Sequence, residues 1–390
     1  MALELPGSDR FWEQCRVASV KPHRRRMLAH SAAGVRTSRV VLICALLVGA
    51  ALLSAPRESS AKITGTAPMS VTAIHVLGNK LVNQSGTPID LVGLNRSGTE
   101  YACAQGWGIF DGPTAPSVIS SMKSWFINSV RVPLNEDCWL GINVPAAYSG
   151  AIYRLAIERY VHELNTAGLV AILDLHWSAP GNELALGQNL MPDASHSVTF
   201  WRSVARAFRI DHDVTFELYN EPHSVSWSCW VSGCEMVGGW RAVGMQRLIN
   251  TVRQTGATQP ILVDGLEWGN DLFGWSKHPL RDPIGQVVAS FHVYRWSGCA
   301  TARCWSASVG HVAKSVPVIT TEVGENDCTG AFVTKYLNWS ESHGISVLAW
   351  TWNDNEGCLS LLKSVASNPS RYGAAVRKDF RRIAQGSFLR

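Results

Sequence analysis

Eight short apolar runs, separated by longer polar stretches, constrain the fold of this chain more than any other feature. They lie at 89–94 (IDLVGL), 128–133 (NSVRVP), 169–175 (LVAILDL), 214–219 (VTFELY), 260–264 (PILVD), 287–291 (VVASF), 317–321 (PVITT) and 345–350 (ISVLAW). Near-continuous runs of this length fit strands buried on both faces better than half-solvated strands, which would alternate. Helical patterns fall between them at 150–167, 197–209, 238–255 and 329–343. In the first, Leu155, Ile157, Tyr160, Val161 and Leu164 form an apolar stripe, Arg154, Glu158 and Glu163 lie on other faces, and Gly168 stands where a helix stop is expected. The segment 265–286 shows no clean helix. Strand–helix alternation predicts a parallel sheet. No low-complexity linker interrupts the chain after residue 70, so the expectation is an α/β fold with a single (β/α)8 TIM barrel. Ahead of the first strand, IHVLGNKLVNQSGTPIDLVG predicts a small hairpin closing the bottom of the barrel.

The net charge of +5 in 390 residues raises the question of a polyanionic partner. Its location answers it. Residues 1–60 hold nine Lys and Arg against four Asp and Glu, and residues 61–390 hold 26 of each sign. Lys21, Arg24, Arg25, Arg26, Arg36 and Arg39 precede an uncharged run from Val40 to Ala55, which is followed by a small, polar stretch. That run is shorter than the roughly 20 residues a spanning helix needs. Residues 1–61 are therefore expected to be a basic leader carrying a secretory signal, with Met27 a candidate start, and residues 62–390 the catalytic domain. The alternative is an uncleaved anchor; either way the domain faces outward. The charge-balanced remainder carries 15 of the 16 Trp residues. No nucleic-acid partner is expected, a membrane is contacted only through an uncleaved anchor, and a monomer is expected.

Eight cysteines follow the leader: Cys103, Cys138, Cys229, Cys234, Cys299, Cys304, Cys328 and Cys358. An even set in an exported chain suggests disulfides, and eight allow 105 pairings. Cys229 with Cys234 and Cys299 with Cys304 are close enough to close locally, which would leave Cys103 with Cys138 and Cys328 with Cys358. Sequence leaves the connectivity open. With no C-x-x-C pair, a zinc site is disfavoured.

Barrel enzymes carry their chemistry at the C-terminal ends of the strands. The residues there are Asn95, Arg131 with Asn135, His176 with Trp177, Asn220 with Glu221, Glu267, His292 with Tyr294, Glu322, and Trp350 with Trp352. Each has an ordinary structural explanation alone: a buried His is commonly a hydrogen-bonded core residue, and a Trp commonly packs. Their joint occurrence at independent strand ends weakens that explanation. Glu221 and Glu322 matter most, because two carboxyl groups across one cleft can divide glycosidic cleavage between a proton donor and a nucleophile.

Tyr219-Asn220-Glu221-Pro222-His223 carries the Asn-Glu-Pro motif of clan A glycoside hydrolases, and within that clan the chain resembles glycoside hydrolase family 5, the family of many cellulases. Val92-Gly93-Leu94-Asn95, Val130-Arg131-Val132-Pro133, Leu173-Asp174-Leu175-His176, His292-Val293-Tyr294, Thr321-Glu322-Val323-Gly324 and Trp350-Thr351-Trp352-Asn353 match in family order over roughly residues 75–355. The resemblance implies that Glu221 is the general acid/base and Glu322 the nucleophile. It further implies that Asn220 binds the sugar 2-hydroxyl, that Arg131 and Tyr294 hold the nucleophile, that His176 and His292 contact sugar or Glu221, and that Trp350 stacks under the reacting sugar, with Trp352 the alternative. Glu325 is a decoy for Glu322, three residues past the motif.

Trp107, Trp139, Trp177, Trp227, Trp230, Trp268, Trp296 and Trp305 fall in loops after strands, and about half are expected to line a cleft, a single-sequence expectation. A row of aromatics favours a polymeric glycan. The function expected is a secreted retaining endo-β-1,4-glucanase acting on a polysaccharide or oligosaccharide. The same chemistry on β-mannan, xylan, β-1,3-glucan or a glycolipid is the alternative, and a non-catalytic carbohydrate-binding envelope protein is a weaker one. The absence of G-x-S-x-G, P-loop, G-x-G-x-x-G and H-E-x-x-H patterns leaves esterase, nucleotide and zinc-protease readings without support. No cofactor or metal is implied.

Overall fold

The computed structural model describes residues 72–364 and 368–387; the expected leader lies outside them. Eight parallel strands close into a barrel: β3 (Val92–Asn95), β4 (Ser129–Asn135), β5 (Val170–Trp177), β6 (Val214–Glu217), β7 (Ile261–Asp264), β8 (Val287–Tyr294), β9 (Val318–Gly324) and β10 (Ser346–Ala349), with β10 pairing back onto β3. Each apolar run of the sequence supplies one strand, as expected. Helices follow seven of the strands: α1 (Pro116–Lys123), α3 (Ala151–Thr166), α4 (Ser197–Phe208), α6 (Met245–Arg253), the pair α7 (Ala302–Ala307) and α8 (Val309–Val312), α9 (Ala331–His343) and α10 (Arg371–Ser387). Two further short helices, α2 (Glu136–Leu140) and α5 (Trp227–Ser232), sit in the loops after β4 and β6. After β7 there is only a 3-10 turn at Trp275–Lys277, so the fifth crossover is irregular, as the sequence suggested.

Two sequence expectations need correction. Leu155 does not belong to the buried stripe of α3: it is 65% exposed, and Tyr153 takes its place beside Ile157, Tyr160, Val161 and Leu164. The helix expected from residue 238 starts at Met245. Residues 235–242 instead form a loop in which Glu235 bridges Arg241 and Ala242 bridges Asp193. The backbone of Gly244 lies so close to Val231 that an added Cβ would sit 2.2 Å from its carbonyl oxygen, so only glycine permits this crossing.

Ahead of the barrel, β1 (His75–Leu77) and β2 (Lys80–Val82) form an antiparallel hairpin turning at Gly78 and Asn79. Its Ile74 and Leu81, with Leu91, pack against Val170, Ile172, Leu262, Val288, Ile319 and Leu348 at the N-terminal end of the barrel. This apolar plug fixes which strand faces point inward. Because strand side chains alternate with period two, the positions after the plug also face inward: Asp174 and His176 after Ile172, Asp264 after Leu262, Ser290 and His292 after Val288. The interior is thus layered, with an apolar floor, a polar middle and a mouth.

Four disulfides join Cys103 to Cys138, Cys229 to Cys234, Cys299 to Cys304 and Cys328 to Cys358. All four tie loops that follow strands, at the mouth end.

Candidate active site

Arg131 is the centre of the polar layer. It is fully buried, and a buried cation persists only when paired. Its planar fork satisfies five partners: Nε donates to Glu217, Nη1 to Asn95 Oδ1 (3.0 Å) and Glu322 Oε1 (2.6 Å), and Nη2 to Asn220 Oδ1 (2.8 Å) and Asp174 Oδ2 (2.9 Å). Burial works against its charge, but Asp174, Glu217 and Glu322 outweigh that and raise its pKa well above the ordinary value. Glu217 is buried too, yet Arg131 holds its carboxyl down to about 2.

Glu322 faces the barrel because β9 is irregular. Opposite β8, Phe291 pairs with Thr320 and His292 with Glu322, and opposite β10, Val347 pairs with Thr320 and Ala349 with Val323. One extra residue is inserted at Thr321–Glu322, a β-bulge, and bulges re-aim side chains beside functional sites. Both consecutive residues therefore project inward. Thr321 Oγ1 donates to Glu217 Oε1 (2.7 Å), and Glu322 meets Arg131 through one oxygen and the Tyr294 hydroxyl through the other. Burial raises the Glu322 carboxyl, with His292 and Arg131 opposing.

Glu221 sits just past β6 with a positive φ of 54°, a conformation uncommon for a non-glycine residue. Its backbone is held there from several sides: the amide donates to Asp264 Oδ2 (3.0 Å), and the carbonyl accepts from Gln188 Nε2 (2.8 Å) and His223 Nδ1 (2.8 Å). Burial pushes the Glu221 carboxyl up to about 7. His292 stands between the two glutamates, with Nδ1 3.0 Å from Glu221 Oε1 and 3.6 Å from Glu322 Oε2. The facing oxygens of Glu221 and Glu322 lie within 4.8 Å of each other. Burial lowers the pKa of His292 and takes that of His176 down to about 3, so both rings are neutral near pH 7.

At the mouth, the His176 ring stacks on Trp350 at 5.5 Å and 10°, and His176 Nδ1 bonds Asp174 Oδ2 (2.6 Å). The Trp350 indole N–H donates to Glu356 (2.8 Å). Arg131, His176, Asn220, Glu221, His292, Tyr294, Glu322 and Trp350 thus converge on one mouth. Trp352 does not: it packs edge-on against Trp125 at 5.0 Å, in the layer between barrel and helices. Glu267 is exposed, and Asn135 caps α2. Glu325 is occupied elsewhere, accepting the backbone amides of Gly330, Phe332 and Val333 at the start of α9. Among the loop tryptophans, Trp139, Trp230 and Trp305 are core residues, while Trp107, Trp268 and Trp296 are exposed, Trp268 stacked on His223 and Trp296 on Tyr294.

Asp174, Glu217, Asp264 and Glu356 were not singled out by sequence. Two triads, Glu217–Asp264–His292 and Glu221–His292–Glu322, each bring three potential cation ligands within 4.8 Å. Arg131 already pairs with a carboxylate of each, and no metal is assigned to them.

A parallel barrel with two glutamates projecting from opposed strand ends into an arginine-centred polar layer defines a glycoside hydrolase type of architecture. A family model for cellulase (glycosyl hydrolase family 5) matches residues 82–356; the chain belongs to glycosyl hydrolase family 5. Among curated proteins it is 24% identical over 327 residues to the endoglucanase MaCel5A of Microbulbifer, covering 79% of this chain and 58% of that protein. It is 21% identical to a mannan endo-1,4-beta-mannosidase of Streptomyces lividans, covering 85% of this chain and 79% of that one. The chain thus spans just over half the length of the Microbulbifer relative. In fold it is similar to the beta-glucanase SdGluc5_26A of Saccharophagus degradans in complex with cellotetraose, with a TM-score of 0.63 at 19% identity, covering 84% of this chain and all of that one.

Proposed function

We propose that this chain is a retaining glycosidase that cleaves internal β-1,4 bonds of a glucan by double displacement. The observation that carries the reading is the approach of the Glu221 and Glu322 oxygens to within 4.8 Å. Retaining enzymes hold their carboxyl groups about 5–5.5 Å apart, whereas inverting ones leave about 6.5–9.5 Å for a water. The environments divide the labour. Glu322 receives a donor on each oxygen, from Arg131 and Tyr294, which favours the carboxylate that attacks the anomeric carbon. Glu221 has no cation in contact and stays protonated to about pH 7, ready to protonate the departing oxygen. The leaving sugar departs with that proton and a glycosyl ester forms on Glu322. Glu221, now ionised, deprotonates the water that breaks the ester. Asn220, held through its oxygen by Arg131, turns its NH2 group to the sugar 2-hydroxyl, and Trp350 offers an aromatic face beneath the ring.

The endoglucanase relative supports glucan as substrate. β-Mannan is the second reading, supported by the Streptomyces mannosidase, which aligns over more of this chain. The four disulfides and the basic leader support export, with residues 1–61 removed or retained as an anchor. The test is to follow the anomer first released from a soluble β-1,4-glucan and from β-mannan by NMR, using the full chain and its Glu322→Gln variant. Retention by wild type with loss in the variant supports the proposal; inverted product, or undiminished turnover by Glu322→Gln, refutes the mechanism.

A further inference from the structure

Below the two glutamates the barrel holds more carboxyl groups than its one cation can balance. Asp174, Glu217 and Asp264 are fully buried with Arg131. Asp174 has direct donors, Arg131 Nη2 at 2.9 Å and His176 Nδ1 at 2.6 Å. Glu217 is better supplied: Arg131 Nε on one oxygen, and Ser290 Oγ and Thr321 Oγ1, both at 2.7 Å, on the other. Asp264 differs from both in having no guanidinium in contact: its Oδ2 accepts the backbone amide of Glu221, with His292 Nε2 at 3.4 Å, while its Oδ1, like that of Asp174, is buried and receives no donor. A carboxyl oxygen of Asp264 nevertheless lies within 4.8 Å of one of Glu217 in this buried layer. Two carboxylates are acceptors only, so a hydrogen bond between them requires a proton on one. Glu217, in direct contact with a guanidinium and two hydroxyls, is the ionised partner. Desolvation acts on Asp264 with no cation in contact to offset it.

We propose that Asp264 is a positioning residue that remains protonated at neutral pH, donating through Oδ1 to Glu217 while its Oδ2 holds the backbone amide of Glu221. This proton assignment gives every hydrogen bond of a closed ring one donor and one acceptor, with both arms running from Glu221 to Glu217. Glu221 donates from its carboxyl to His292 Nδ1, His292 Nε2–H donates to Thr321 Oγ1 (2.9 Å), Thr321 donates to Glu217, Asp264 donates to Glu217, and the Glu221 amide returns to Asp264. The charged and titratable groups facing Asp264 are Glu217, Arg131, His292 and Glu221, with Asp174 and Glu322 beyond them. A neutral Asp264 adds no charge beside the acid/base yet fixes its left-handed backbone. An ionised one would face Glu217 carboxylate to carboxylate, a repulsion that forces one of two such neighbours to take up a proton.

The inference deepens the glycosidase reading and rests on it for its kinetic arm. The test compares Asp264→Asn, Asp264→Ala and Glu217→Gln in the full chain. Asparagine copies the protonated acid: its Nδ2 donates to Glu217 and its Oδ1 accepts from Glu221. Asp264→Asn is expected to keep kcat within several-fold with the basic limb of the pH profile unmoved. Asp264→Ala, which frees the Glu221 backbone, is expected to lose about a hundredfold in kcat, the scale of a misplaced catalytic group. Glu217→Gln, which removes a charge Arg131 needs, is expected to be worse than Asp264→Asn. A basic limb displaced to lower pH in Asp264→Asn would show that a negative charge had been removed and would overturn the proposal. So would Asp264→Asn proving as damaging as Asp264→Ala, or Asp264→Ala matching wild type. If Asp264→Ala does not fold, the Asp264→Asn profile decides. An arm independent of turnover separates this from failure of the glycosidase reading: the infrared difference spectrum of wild type minus Asp264→Asn, recorded at a pH above the titration of Glu221, should contain the carbonyl band of a protonated carboxyl, because other buried acids such as Glu100 and Glu136 contribute to both proteins alike. A spectrum without it refutes a protonated Asp264 whatever the substrate proves to be.

Discussion

Replacing Arg131 tests the architecture of the site and its chemistry together. In Arg131→Met the side-chain volume is roughly kept but Glu217, Asp174 and Glu322 lose their shared cation inside a buried layer. Breaking one side of a buried ion pair costs about 3–5 kcal/mol, because the abandoned charge stays desolvated. The network here has three carboxylates on one guanidinium, so proton uptake by one of them limits the loss to that range rather than a multiple of it. At about two to three degrees per kcal/mol for a large domain, the melting temperature should fall by about 6–15 °C. Arg131→Lys keeps the charge but offers three donors on one atom where the fork serves five acceptors, so it should melt between the two. Activity adds a signed prediction. Arg131 lowers the pKa of Glu322, so its removal raises that pKa and moves the acidic limb of kcat/KM to higher pH, more in Met than in Lys. Differential scanning calorimetry and pH–rate profiles on the three proteins provide the assay. An Arg131→Met variant that melts within a degree of wild type, with its acidic limb in place, would refute the reasoning.

Two further outcomes follow from the same geometry. The basic limb of kcat/KM should lie near pH 7 and lose activity as pH rises through it, because burial lifts Glu221 to about 7 and only the protonated form donates; a pH–rate profile flat from neutral to alkaline conditions would count against Glu221 as the acid. Gly269 carries a positive φ of 69°, and a Cβ there would stand 2.9 Å from the His292 ring, so Gly269→Ala should push His292 out from between the glutamates and cut kcat about tenfold to a hundredfold, with KM little changed; a kinetic comparison showing unaltered kcat would mean that the ring accommodates the methyl.

The barrel was legible in the sequence because its strands are buried on both faces and its mouth residues stand just beyond them. The same property hid the polar layer. Asp174, Glu217 and Asp264 sit inside runs that read as apolar, LVAILDL, VTFELY and PILVD, and a run is judged by its majority. A signal was present: a carboxylate in a fully buried strand needs a partner, and Arg131 is the one Lys or Arg within the eight runs. Strict alternation would have put Thr321 and Glu322 on opposite faces; the bulge in β9 that brings both inward has no mark in the local residues. Alternation alone does not choose between Trp350 and Trp352: the strand ladder ends at Ala349, after which Trp350 turns to the mouth and Trp352 into packing with Trp125. The loop before α6 departs from the helical pattern of its sequence because tertiary bridges to residues 192–194, rather than local propensity, set its path.

The hairpin of Ile74 and Leu81 under the strands has a kinetic consequence for the buried acids. With apolar side chains packed across the floor, the polar layer opens toward solvent at the opposite end, past Glu221, His292 and Glu322. A glycan lying across that end would stand in the same passage, so exchange of protons between Asp174, Glu217 and Asp264 and the solvent should slow while it is bound and resume when the leaving sugar admits water.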